Sequence, residues 1–274
     1  YLGQKNRPQA MGFYDFVVSE IHGLRVKELV DHREKGGKVF GTFCVYVPEE
    51  VIVAGGGICV GLCAGADFSV PIGERIVPRN LCALIKSAVG FKAGNVCPYF
   101  QVADLVVGET TCDGKKKTWE ILDEYIPTYV MDLPNSRTAA DRDLWISELK
   151  RFVAKVEETT GNSITPKKLA EATSLINSKR EVLQRLYDLR KARPAPISGL
   201  DALLAVQISF YDDPARFVQK TDELCDELEN RIQAKQGVAS ASAKRILYSG
   251  TPMPIPFWTI PALIEQTGAV VVAE

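Results

Sequence analysis

The chain has no apolar run long enough to cross a bilayer. Its longest apolar stretch, residues 51–63, is interrupted by four glycines and bounded by Glu50 and Asp67. A membrane-spanning helix needs about 20 consecutive apolar residues. Net charge is nearly absent, with 33 Lys and Arg against 34 Asp and Glu. That balance argues against bulk affinity for nucleic acid or a membrane surface. No secretory segment opens the chain, because Arg7, Asp15 and Glu20 break any apolar core. Tyr1 rather than Met stands first, so the N-terminus is expected to have been cut or to lie outside the given sequence. Histidine is scarce: His22 and His32 are the only two, and neither has a second ligand at matching spacing. There is no GxGxxG, and Gly55-Gly56-Gly57 lacks the Gly-Lys-Ser/Thr ending of a phosphate loop.

Cysteine, in contrast, is plentiful. Seven cysteines, an odd number, in a chain without a leader argue against a disulfide framework. They indicate a reducing compartment, and the expected location is the cytoplasm. Cys44, Cys59, Cys63, Cys82, Cys97 and Cys112 share one block, and Cys225 stands apart. Any one of them alone would read as a buried structural residue. Six in one segment weaken that reading for the group.

The order of elements indicates an α/β fold. Phe13, Phe16, Val17, Ile21, Leu24 and Leu29 recur at helical spacing over residues 11–33, and Gly36-Gly37 make a stop. Short apolar segments at 38–46, 58–62, 105–108 and 128–133 read as strands. They alternate with helices at 48–55, from Asn80 as N-cap to about Phe91, and at 114–124. Such alternation predicts a parallel sheet with helices on its faces. Helices alone follow: 165–190, 200–210 and 215–234, with a small-residue linker at 236–243. A strand at 245–249, a helix at 257–267 and a strand at 269–273 then begin a second parallel sheet. Two strands cannot bury a sheet of their own, so the second domain is expected to continue beyond Glu274. The expected domains are an N-terminal helical segment at 1–37, a Rossmann-like domain at 38–137, a helical region and linker at 138–243, and the start of a second Rossmann-like domain at 244–274.

The segment DLVVGETTCDGKKKTWE (104–120) concentrates the chemistry. A strand ends at Gly108, Cys112 lies in the turn, and Lys115, Lys116 and Lys117 open the next helix. Three cations oppose the positive end of a helix dipole, which points to nearby negative charge such as an anionic cofactor. Ligands of open parallel sheets bind beyond the carboxyl ends of the strands. Cys44 lies near the end of the first strand, and Cys63 and Cys112 lie just past the ends of the second and third. Cys82 falls in a helix's first turn, a position of the kind that favours thiolate, and Cys97 lies in a loop before Pro98. Cys59 is mid-strand and reads as core; Cys225, among acidic residues of a helix, reads as structural. Converging thiolates bind zinc or iron–sulfur clusters. Zinc sites usually show two close pairs of ligands, whereas single cysteines from separate loops fit a cluster better. Glu49, Glu50 and Glu109 lie near the same edge and read as capping or hydrogen-bonding residues.

CVYVPEEVIVAGG (44–56), NLCALIKSAVGF (80–91) and the 104–120 segment resemble the 2-hydroxyacyl-CoA dehydratase/benzoyl-CoA reductase family. CAGADF (63–68) and CPYF (97–100) are most similar to its double-cubane cluster proteins. The resemblance implies two Rossmann-like domains and an iron–sulfur cofactor, either a double cubane or a single 4Fe-4S cluster. It implies that Cys82 and Cys112 hold a cubane, that Cys63 and Cys97 serve a second one, and that Cys44 is a further candidate. Remaining ligands are expected beyond Glu274. It also implies an ATP-hydrolysing iron–sulfur activator as electron donor, with Lys115, Lys116 and Lys117 tuning the site or docking that partner. The expected activity is reduction of a small recalcitrant substrate by a homodimer. The alternative is a subunit of a heterodimeric radical 2-hydroxyacyl-CoA dehydratase. From another class comes a metal-free or zinc-stabilised α/β binding module.

Overall fold

The computed structural model describes residues 3–43, 46–62, 65–250 and 253–274. In chain order the elements are α1 (Met11–Ser19), α2 (Leu24–Glu34), β1 (Val39–Thr42), α3 (Glu49–Ala54), β2 (Ile58–Gly61), a 3-10 turn (Asp67–Ser69), α4 (Val70–Gly73), α5 (Ala83–Ala93), α6 (Pro98–Val102), β3 (Leu105–Glu109), α7 (Asp113–Asp123) and β4 (Thr128–Met131). Then come α8 (Ala139–Thr160), α9 (Pro166–Leu189), α10 (Gly199–Ile208), α11 (Pro214–Gln233), β5 (Arg245–Leu247), α12 (Thr259–Gln266) and β6 (Val270–Ala273). The fold is α/β, as the alternation implies.

Two compact units are present: His22–Ser174, and Tyr1–Ile21 with Leu175–Glu274. The first holds a four-stranded sheet of order β2-β1-β3-β4 with every pair parallel. The chain runs outward from β1 to β2, then crosses back to build β3 and β4 on the other side. That reversal makes a topological switch point between β1 and β3, beyond whose carboxyl ends such sheets bind ligands. The central strands β1 and β3 are buried along their whole length, because helices cover both faces. On one face Phe40, Leu105, Val107 and Met131 pack with Val51 and Ile52 of α3 and Phe152 and Val156 of α8. On the other, the fully buried Trp119 of α7 lies against Gly108 and 4.8 Å from the ring of Phe43.

Local signals account for the helix ends. Glu49 and Glu50 occupy the first turn of α3, where carboxylates complement the dipole. A reciprocal capping box between Thr138 and Asp141 starts α8, and Gly161 in the left-handed region stops it. The hydroxyls of Ser136 and Thr138, followed by the Thr138 N–H, hold the Asp141 carboxyl down at about 2.

The second unit is built on α10, an almost wholly buried helix. Its Asp201, inaccessible to solvent, accepts from Arg7 and Gln4 through its carboxylate, and its backbone N–H donates to the N-cap hydroxyl of Ser198 at 3.0 Å. Glu265 accepts from the Gly199, Leu200 and Val271 N–H groups, joining α10, α12 and β6. Strands β5 and β6 pair in parallel, and β6 buries Val270 and Val271.

Two expectations are corrected. The single helix over 11–33 is two, α1 and α2, because Gly23 departs from helical backbone and caps α2. The N-cap expected at Asn80 is Cys82, since Leu81 turns back to hydrogen-bond Pro78. Within the stretch 138–243, α8 sends Phe152 and Val156 into the core of the sheet unit.

Gly108 is where the sheet meets the helix after it. A Cβ there would fall 2.5 Å from the Trp119 indole. Gly108→Ala should therefore lower unfolding stability by about 1–3 kcal/mol, read as a shift in urea midpoint. An unchanged midpoint would contradict this packing.

Candidate active site at the switch-point edge

Three of the expected cysteines stand at the starts of helices. Cys82 caps α5, Cys97 caps α6 and Cys112 caps α7. The carbonyls of Cys82 and Cys112 accept the first helical hydrogen bonds, from the Lys86 and Lys116 N–H groups at 3.0 and 3.1 Å. Both side chains are exposed, and Cys97 is half-buried. Cys44 and Cys63 lie outside the described residues.

The starts of α5 and α7 are neighbours. Gly114, in the first turn of α7, lies against the turn and helix that carry Cys82: a Cβ would sit 2.7 Å from a Leu81 methyl and 3.5 Å from Ile85. Those residues flank Cys82, so close packing brings the Cys82 and Cys112 helix starts together. Cys97 is tied to the same end of the sheet less directly, through Phe100 of α6, whose ring lies 5.9 Å from Phe43 just past β1. The loop at 65–69 is fixed to α5. Ser87 receives the Ala66 N–H at 3.2 Å and lies 2.7 Å from the buried Ser69 hydroxyl. Gly90 lets the Ser69 carbonyl approach to 1.9 Å of where a Cβ would be, and Gly73 does the same for Lys86.

Between β3 and Cys112 the backbone is held at every residue. The Glu109 carboxylate is inaccessible to solvent and accepts from the Thr111 N–H at 3.0 Å and from the Lys115 ammonium. The Glu109 carbonyl accepts from the Trp119 indole N–H at 2.9 Å. Thr110 accepts from the Leu133 N–H at 2.9 Å through its hydroxyl. The three lysines thus have different surroundings. Lys115 turns inward onto Glu109, whereas Lys116 and Lys117 pair at the surface with Asp113 (3.6 Å) and Glu120 (3.1 Å). Exposed pairs of that kind contribute about 0–1 kcal/mol.

Cys59 packs at the margin of the core, 3.6 Å from the Thr42 hydroxyl. Cys225 is wholly buried, and burial is the main cause that pushes its thiol up to about 12. Burial also raises the Cys97 thiol, partly opposed by the Phe100 and Tyr99 backbone. Sequence reasoning missed Lys86 as a buried residue of the site. Its ammonium reaches Glu74 at 2.7 Å and the Arg79 carbonyl at 2.8 Å, bracing the turn before Cys82. The signal available was a lone cation inside the apolar run NLCALIKSAVGF.

Several thiols at adjoining helix starts offer soft sulfur donors and backbone N–H groups that favour bound negative charge. That chemistry fits an iron–sulfur cluster better than a hard cation. Among the described residues, no group of three or more His, Cys, Asp and Glu is placed to hold a metal ion. No helix among them is long and apolar enough to cross a membrane.

The differing environments predict thiol selectivity. In the metal-free full chain, iodoacetamide should modify Cys82 and Cys112 well before Cys225, because the thiolate is the reacting form. Mass spectrometry of tryptic peptides checks this. Equal modification of Cys225 and Cys112 under native conditions would contradict it.

Residues 44–274 match the family model for the 2-hydroxyglutaryl-CoA dehydratase D-component. YjiM of Escherichia coli, provisionally named a dehydratase subunit, is 38% identical over 93% of this chain and 66% of its own length. The (R)-phenyllactyl-CoA dehydratase beta subunit of Clostridium sporogenes is 22% identical over 74% of this chain and 54% of its own. A benzoyl-CoA reductase subunit of Thauera aromatica is also 22% identical, over 86% of this chain and 61% of its own. The chain therefore spans between about half and two thirds of these relatives' lengths. The chain belongs to the 2-hydroxyacyl-CoA dehydratase/benzoyl-CoA reductase family.

Proposed function

We propose that this chain is the iron–sulfur-binding part of a double-cubane-type reductase, which takes low-potential electrons from an ATP-hydrolysing activator to reduce a small recalcitrant substrate. The observation that carries the reading is the pair of exposed cysteines, Cys82 and Cys112, capping two packed helices at the switch-point edge. In this proposal Cys82 and Cys112 hold one cubane, and Cys63 and Cys97 contribute to a second. Cys44 is a further candidate ligand. When bound, the cluster supplies a one-electron donor of low potential. The protein's own residues orient the thiolates, present N–H groups to negative charge and brace the turns before Cys82 and Cys112. Lys116 and Lys117, facing solvent, are suited to meeting the activator. The first reading has the protein working as a cytoplasmic homodimer.

A second reading is favoured by the relatives' names, two of which are dehydratase subunits. There the chain is one subunit of a heterodimeric radical 2-hydroxyacyl-CoA dehydratase with a single 4Fe-4S cluster. The presence of Cys63 and Cys97 favours the first reading.

Anaerobic reconstitution of the full-length protein, with iron and sulfide assays, separates them. About eight irons per chain correspond to two cubanes and about four to one. A colourless preparation would refute both and leave the binding-module reading. Cys112→Ala should lose cluster iron, whereas Cys59→Ala and Cys225→Ala should keep it. Full iron retention in Cys112→Ala would overturn the ligand assignment.

A further inference from the structure

We infer that Glu109 and Lys115 form a positioning pair that aims Cys112, and that Lys115 is neither the counter-charge of the bound group nor a docking residue. The inference rests on the proposed cluster site for its consequence, but its geometry stands without it. The Glu109 carboxylate is fully buried, three residues before Cys112, and Lys115 lies three residues after it. The ammonium of Lys115 is spent on that carboxylate, and its side chain is only 17% exposed. The second carboxylate oxygen takes the Thr111 N–H, the residue next to Cys112. The Glu109 carbonyl is held by Trp119, one turn further along the same helix as Lys115.

The turn carrying Cys112 is thus clamped on both sides by α7, the helix that Cys112 itself caps. Three contacts through Glu109 fix where the backbone leaves β3, and the Thr110 hydroxyl ties it to the end of β4. Cys112, like Thr111 beside it, is exposed in this turn, and its thiol is free. A buried carboxylate without its cation has to be neutralised or hydrated, and either outcome loosens the turn. Lys116 and Lys117 cannot substitute, because their partners are surface carboxylates.

The test compares Lys115→Met, Glu109→Gln, the double variant Glu109→Gln/Lys115→Met, and Lys116→Gln/Lys117→Gln, all in the full chain. Hydrogen exchange of the metal-free proteins reads the clamp directly. In Lys115→Met, amides of 109–116 should exchange at least tenfold faster, while those of 86–93 in α5 keep the wild-type rate. After anaerobic reconstitution, Lys115→Met and Glu109→Gln should each retain less than half of the wild-type iron, and the reduced cluster's electron paramagnetic resonance lines should broaden. The double variant, which buries no unpaired charge, should recover most of the iron. Lys116→Gln/Lys117→Gln should match wild type in both measurements. Unchanged exchange with full iron in Lys115→Met would overturn the inference, as would a negative shift in midpoint potential at full iron, the mark of a lost counter-charge. Loss of exchange protection throughout the chain would also count against a local clamp. If wild type binds no iron while the local exchange effect is present, the cluster reading fails and the clamp stands.

Discussion

The candidate site depends on one buried charge pair at the carboxyl end of the central strand β3. Glu109 is inaccessible to water, and an isolated carboxylate in that position would be strongly unfavourable. Lys115 and the Thr111 N–H make it tolerable. Removing one partner of such a pair typically costs about 3–5 kcal/mol, although the intact pair adds little net stability. The pair therefore acts through geometry: Glu109 can be buried only when α7 begins where Lys115 can reach back to it. Trp119 and Gly108 then set how closely that helix lies on the sheet.

From that contact outward the architecture follows the strand order. β1 and β3 are neighbours whose connections leave in opposite directions, the arrangement beyond whose strand ends open parallel sheets bind ligands. The helices that start near that edge present thiols at their first positions. Two of them, α5 and α7, start close together, with Gly114 against Leu81 and Ile85.

Much of this was legible in the residues. The four strands are short apolar runs between turn signals, and a parallel sheet follows from their alternation with helices. Cys112 at a helix start was readable because a strand, a turn and a helix are compressed into so few residues. What could not be read depends on contacts distant in sequence. The break between α1 and α2 lies within a segment whose apolar spacing continues through Ser19–Gly23, so periodicity alone spans it. The 3-10 turn and α4 are held by backbone approaches at Gly73 and Gly90 that leave no periodic trace. The three consecutive lysines look equivalent as a string. Only the burial of Glu109 separates Lys115, which serves the interior, from Lys116 and Lys117. Lys86 is a similar case, since its partner Glu74 belongs to a loop the apolar pattern does not define.

The central claim is that the helix starts bearing Cys82 and Cys112 meet at one iron-binding centre. Anomalous diffraction at the iron edge from anaerobically reconstituted crystals of the full-length protein tests it most directly. The account predicts iron density within bonding distance of both the Cys82 and Cys112 sulfur atoms. Iron bound elsewhere, or at only one of the two cysteines, would contradict it.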